Sequence, residues 1–449
     1  MGFFNTIKIK IIVLLKSNFL ALRTTITKDI SNFPAFKNQL LNWSNQFREV
    51  VFLDSNNHQQ NYANYDFVLA VDAFTSIKTD ATNAFSDLNQ YQGQTKDWIF
   101  GYLSYDLKND VEDLKSNNFD GLDFPDLFFF QPKKIFFVKN NQVEIQYLRM
   151  CDDEIQSDFD EISSAVLCDV ETLLEINIQQ RISKEKYLDK VSKMLEHIHR
   201  GDIYEANFCM EFYAENSTIE PLEIYQKLNS ISEPPFAVYF KNTTNFLMCA
   251  SPERYLKKEG TKIISQPIKG TSKRSMDFET DNVLKSELEK NPKERSENIM
   301  IVDLVRNDLS KTATKASVHV EELCQIYSFK QVHQMISTIV SEVENTTSPI
   351  EIIQTTFPMG SMTGAPKISA MNIIENLEET QRGLYSGAIG YFTPDGDFDF
   401  NVVIRSILYN SKNQYVSFSV GSAITSKSTP ENEYEECLLK AKAMFEVLS

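Results

Sequence analysis

The feature that most constrains this chain is a repeated change of hydrophobic period. Short β-rich runs with two-residue alternation give way again and again to longer stretches with apolar residues at helical spacing. Residues 25–180 carry REVVFLDS, DFVLAVDAF, KDWIFGYLSYD and KKIFFVKNNQVEIQYL among shorter helical or turn-like segments. The segment ISKEKYLDKVSKMLEHIHRGDIYEANF then predicts a helix stopped by Gly201, a natural junction to the second region, 181–449. Hairpin-forming runs there (FAVYFKN, NFLMCASPERYLKKE, IISQPIKGT, SGAIGYFTPDGDFDFNVVIRSILYN, QYVSFSVGSAI) are interleaved with three helical stretches. These run from about Phe278 to Leu309, along KISAMNIIENLEE with Pro366 at its first position, and after Thr429-Pro430. Such alternation predicts an α+β fold, large antiparallel sheets packed as a sandwich with helices outside. Residues 1–24 are read as an N-terminal extension.

That extension combines lysines with an apolar run, but Ile11 to Leu15 is too short for a membrane span or a signal core. Its MGxxxT start matches a myristoylation pattern of high false-positive rate. A net charge of -17 disfavours nucleic acid or an anionic membrane as the main partner. A small anionic substrate therefore needs a local positive site. The 6 cysteines, Cys168 among them, show no CxxC spacing, so neither a zinc site nor a disulfide framework is indicated and a cytoplasmic location fits.

Several residue groups carry chemistry. Glu294 and Glu297 lie three apart on a predicted helix, as do Glu433 and Glu436 on the last one. Two such pairs could hold Mg2+, a hard cation that takes carboxylate oxygens, or they could simply be solvated. Arg405 stands in DFDFNVVIRSILY, read as one apolar strand, where a planar guanidinium needs a protein acid or a substrate carboxylate as partner. FPMGSMTGAPK is a glycine-punctuated loop entering a helix, without Walker or Rossmann spacing. His333 sits among apolar residues, in core or catalytic use, and no hydrolase triad order is visible. Lys269, in QPIKGTSKR, either ends a strand in water or serves as a reactive amine.

SPER (251–254), PIKGT (267–271), ENIMIVDLVRNDLS (297–310), FPMGSMTGAPK (357–367), GLYSGAIGYFTPDGDFDFNVVIRS (383–406) and ENEYEECLLKAKA (431–443) together resemble the chorismate-utilising enzyme family, with its anthranilate synthase component I-like fold. The lysine in PIKGT is similar to the aminodeoxychorismate synthase component I branch, where anthranilate synthases typically carry alanine. The resemblance implies that Lys269 attacks C2 of chorismate with loss of the C4 hydroxyl, and that ammonia from a separate glutamine amidotransferase then enters at C4. Attack requires the neutral amine. Glu253 would protonate the departing hydroxyl. Glu297 and Glu436 correspond to Mg2+ ligands, with Glu294 and Glu433 reaching the ion through water. Thr271, Tyr385, Arg405 and the Gly421 backbone fall on substrate-holding positions, and His333 on a histidine expected to have a positioning role here.

The resemblance implies 4-amino-4-deoxychorismate for p-aminobenzoate and folate synthesis as the product pathway. Anthranilate synthase component I and a non-catalytic chorismate-binding homologue are the alternatives. Departures from the family pattern are Glu205, where glutamine is common, and Ser422, Ala423 and Lys427 near the last strand. The FLDS stretch resembles the family's tryptophan-binding element.

Overall fold

A computed structural model describes residues 22–58, 61–165, 176–330 and 332–449. Every strand pair among them is antiparallel, and 20 strands join in one sheet network. Cys168 and nearly all of the expected extension lie outside these residues, and the first strand, Arg23–Asp29, already starts inside that extension. The expected α+β class holds. Strands on either side of residue 180 pair with one another: Glu49–Asp54 with Phe236–Asn242, and Ile99–Leu103 with Ala388–Phe392.

Two-residue alternation sorts side chains between two cores. Val50 and Phe52 join a cluster covered by helices Phe33–Ser44, Lys184–Arg200 and Pro430–Leu448, whereas Val51 points into a second cluster that includes Ile301 and Val302 of helix Pro292–Ser310. Strand Glu205–Ala214 divides the same way: Ala206, Phe208, Met210 and Phe212 face the first cluster, Cys209 the second. Each fully buried large apolar side chain contributes about 1.5–3 kcal/mol. No described helix is long and apolar enough to cross a membrane.

Three local expectations are corrected. The helix expected from Phe278 to Leu309 is two helices, Phe278–Lys290 and Pro292–Ser310. Pro292 has no N–H to continue the first, and the extended Asn291 caps the second by accepting from the N–H groups of Lys293 and Glu294. Glu294 and Glu297 thereby occupy the first two turns of a new helix. The apolar run around Arg405 is also two strands, Phe398–Val402 and Ser406–Asn410. Arg405 is the corner between them, at φ 51. Finally, Pro366 precedes helix Lys367–Leu377 as its N-cap instead of opening its first turn.

Candidate active site

Strand Ile268–Lys273 places Lys269 beside the start of helix Pro292–Ser310. Two contacts fix it. Asn298 Nδ2 donates to the Lys269 carbonyl at 3.2 Å and to the Met335 carbonyl at 3.2 Å, while its Oδ1 accepts from Ser337. Gly270, at φ 98, lets the helix come close: a Cβ there would stand 3.2 Å from Glu294 Oε2 and 3.2 Å from Met335 Cβ. Replacing Asn298 by alanine leaves buried donors and acceptors without partners. Asn298→Ala should therefore cost about 1–3 kcal/mol, checked by denaturant unfolding; an unchanged midpoint contradicts the pinning role.

Five carboxylates share an electrostatic field with Lys269: Glu205, Glu253, Glu294, Glu297 and Glu436. Glu253 is 5% exposed, and burial pushes its carboxyl up to about 7, against the opposing pull of a Ser361 hydrogen bond and of Lys269. Burial likewise pushes Glu297 up to about 7, with Lys269 and Lys293 pulling down. A carboxyl in that range can hold or release a proton near neutrality.

The two glutamate pairs converge. Lys293 lies in the field of Glu297, Glu433, Glu294 and Glu436 together, and Lys440 bonds Glu436 at 2.7 Å and the Gly421 carbonyl at 2.8 Å. The Glu436 side chain is 45% exposed, whereas Glu433 is buried. Glu297 Oε1 is buried without a hydrogen-bond partner, its ion pair being with Lys293 Nζ at 3.8 Å, a cation that a metal ion could replace. Carboxylates of this kind fit Mg2+. Among the described residues no three acidic, His or Cys side chains are already drawn together around one point; Lys293 and Lys440 stand among the acids instead.

Arg405 and Lys440 line an adjoining pocket of about 540 Å³ with Gln334. Burial pulls the Arg405 guanidinium below its ordinary value, Tyr385 and Glu436 pulling the other way, and no described acid forms a salt bridge with it. A structural ion pair is thus not its partner among the described residues. Tyr385 is buried beside Cys209 Sγ, at 3.9 Å. Gly421 admits no side chain: a Cβ would lie 2.4 Å from Asn207 Oδ1. Thr271 is exposed on the Lys269 strand, opposite Gln334.

His333 is 1% exposed with both ring nitrogens engaged, Nδ1 by Ser328 Oγ at 2.8 Å and Nε2 by Asp281 at 3.1 Å. Its ring is committed to protein partners, which suits positioning and not proton transfer. Of the departures, Ser422 faces Tyr187 in the helix-covered core and Lys427 is exposed, so neither points at Lys269. Leu53, Asp54 and Ser55 line a separate pocket of about 560 Å³ beside Arg254 and Asn401.

Sequence reasoning missed Asn298, Lys440, Ser361 and Lys293. Lys440 carried one signal, its position four residues after Glu436 on the final helix.

A family model described as chorismate binding enzyme matches residues 45–446, which spans both helices bearing the glutamates and the strand bearing Lys269. The chain belongs to this family. Its relatives among chorismate-binding enzymes include a probable chloroplastic aminodeoxychorismate synthase of Oryza sativa subsp. japonica, 34% identical over 399 residues. That match covers 80% of this chain but 44% of the rice protein, so the chain spans less than half of that relative. Aminodeoxychorismate synthase component 1 of Bacillus subtilis (strain 168) is 31% identical over 387 residues, 83% of this chain and 79% of the relative. Among solved structures, anthranilate synthase component I from Streptococcus pneumoniae TIGR4 superposes with TM-score 0.75 at 24% identity, over 86% of this chain and 93% of that one. The fold is shared.

Proposed function

We propose that this chain converts chorismate and ammonia to 4-amino-4-deoxychorismate, with Lys269 as a covalent nucleophile and ammonia supplied by a separate glutamine amidotransferase. The single observation that carries the reading is that Lys269 shares its electrostatic field with Glu253, a buried carboxyl that burial pushes up to about 7. Lys269 Nζ forms a bond to C2 as the C4–O bond breaks, and Glu253 delivers its proton so that the hydroxyl leaves as water. Ammonia then bonds to C4, the C2–N bond breaks, and Lys269 is regenerated.

Arg405 offers a planar fork to a substrate carboxylate, and Lys440, beside the Gly421 carbonyl, offers a second cation. Glu297 and Glu436, with Glu294 and Glu433 behind them, would hold Mg2+, whose charge offsets repulsion between these acids and a dicarboxylate.

The relative from B. subtilis carries the aminodeoxychorismate name, and the structural neighbour from S. pneumoniae carries the anthranilate name. Product analysis separates the two. Purified protein with chorismate, Mg2+ and ammonium should yield 4-amino-4-deoxychorismate by mass without pyruvate. Stoichiometric pyruvate with anthranilate overturns the reading; no consumption of chorismate favours a binding homologue.

A further inference from the structure

Gln334 carries a buried amide oxygen that no protein group satisfies. It lies in strand Val332–Glu342, between His333 and Met335. His333 bonds Asp281 of helix Phe278–Lys290, and Met335 belongs to a small buried cluster with Leu288 of that helix. Alternation therefore turns Gln334 to the opposite face of the strand. There it lines the pocket of about 540 Å³ that also holds Arg405 and Lys440.

Gln334 is 3% exposed, and its Oε1 is buried with no hydrogen-bond partner. Buried polar atoms in proteins are nearly always satisfied, so an amide left this way is placed for a ligand or lost to the fold. Its neighbours on the sheet separate the two. Tyr327, opposite it on strand His319–Ser328, gives its hydroxyl to Glu322. Thr271, opposite it on the other side, stands two residues from Lys269 and shares the Gln334 face. Leu228, Pro235 and Met444 supply apolar wall to the pocket, and its described charged groups are both cations, Arg405 and Lys440. The amide thus opens onto an anion site.

Resting on the reading of chorismate as substrate, we propose that Gln334 holds the carboxylate of the enolpyruvyl side arm, its Nε2 donating to an oxygen of the group that Arg405 and Lys440 attract. Chorismate carries two carboxylates. The ring carboxylate is fixed on the carbon next to C2 and stays with the metal-binding acids around Lys269, whereas the side arm hangs on a flexible ether and reaches the pocket. Arg405 and Lys440 supply charge there, but Lys440 is already engaged by Glu436 and the Gly421 carbonyl. The Gln334 amide adds a directed donor with no charge of its own to desolvate. As Nε2 turns to the carboxylate, Oε1 accepts from the Thr271 hydroxyl on the same face. Gln334 thereby ties the side arm to the strand that bears Lys269, and its part is placement of the substrate, with no proton transferred.

Two aryl ethers test this by calorimetry on the full chain with Mg2+. One is 3-(1-carboxyvinyloxy)benzoate; the other is 3-(isopropenyloxy)benzoate, which keeps the ring carboxylate and has a methyl in place of the side-arm carboxylate. Wild type should prefer the diacid by a factor on the order of 100, the combined worth of its charged hydrogen bonds. In Gln334→Ala that preference should fall about tenfold, while affinity for the monoacid stays within about twofold of wild type. Gln334→Met keeps the volume without a donor and should match alanine, so a folding defect in one variant leaves the other to decide. Gln334→Glu should abolish the preference, because a second carboxylate repels the first. An unchanged preference in the alanine and methionine variants, or an equal loss of affinity for both ligands, overturns the assignment of Gln334 alone. No preference in wild type overturns the dicarboxylate reading of the site, and this inference with it.

Discussion

Lys269→Ala is expected to lower turnover of chorismate by a factor on the order of 10³ or more, with chorismate affinity changed by less than about tenfold. The split follows from the layout. The nucleophile sits on strand Ile268–Lys273, whereas the cations facing a substrate carboxylate, Arg405 and Lys440, come from the 403–405 corner and the final helix. Alanine deletes the amine and leaves those cations in place. Arginine at 269 separates charge from nucleophilicity: it restores a cation amid the five carboxylates but cannot supply a neutral amine, since its guanidinium stays protonated. Both variants should be equally inactive by stopped assay of product. Substantial turnover with arginine would mean that position 269 contributes only its charge.

Glu253→Gln should separate activity from stability. As an acid that gives its proton to the leaving hydroxyl, Glu253 is worth about 10²–10⁴ in rate, and glutamine has no proton to give. The stability effect runs the other way. Burial moves the Glu253 carboxyl from 4.5 to about 7, so the folded state binds its proton more tightly than the unfolded chain does. That destabilisation is absent below pH 4.5, grows between 4.5 and 7, and is complete above 7, where it amounts to about 3 kcal/mol at most. Glu253→Gln should accordingly unfold at higher denaturant than wild type at pH 8 and match it near pH 4.5. A variant less stable than wild type at pH 8 would show that the carboxylate is satisfied in the fold.

Much of the architecture could be read from period and punctuation. Helix Lys184–Arg200 has its Ser183 cap accepting from Lys186, its apolar face at Tyr187, Val191, Met194 and Ile198, and its stop at Gly201, φ 90. Asn291-Pro292 carried an equally plain stop signal, yet helical spacing on both sides hid the break. Arg405 could not be placed, because a hydrophobic run looks continuous whether or not one residue in it takes a left-handed backbone. Strand partners such as Glu49–Asp54 and Phe236–Asn242 are far apart in sequence, and no local pattern encodes them.

The site divides along the same line. Lys269, Glu253 and both glutamate pairs stood in recognisable motifs, and the fold brings them into one field. Asn298 looked like any helical asparagine until the Lys269 carbonyl was found against it. Lys440 looked like a solvated helix lysine until the Gly421 strand passed beside it. Glu205 was visible only as an odd acid in a strand; that it is buried, flanked by the distant strands Gly364–Ala365 and Tyr415–Thr425, no local pattern encodes.

The most direct test is to trap the bond itself. Protein held with chorismate and Mg2+ in the absence of ammonia, then denatured, digested and sequenced by mass spectrometry, should carry dehydrated chorismate on the peptide containing Lys269, and the label should disappear when ammonium is added before denaturation. Product formation by a protein whose Lys269 never carries that mass would contradict the account.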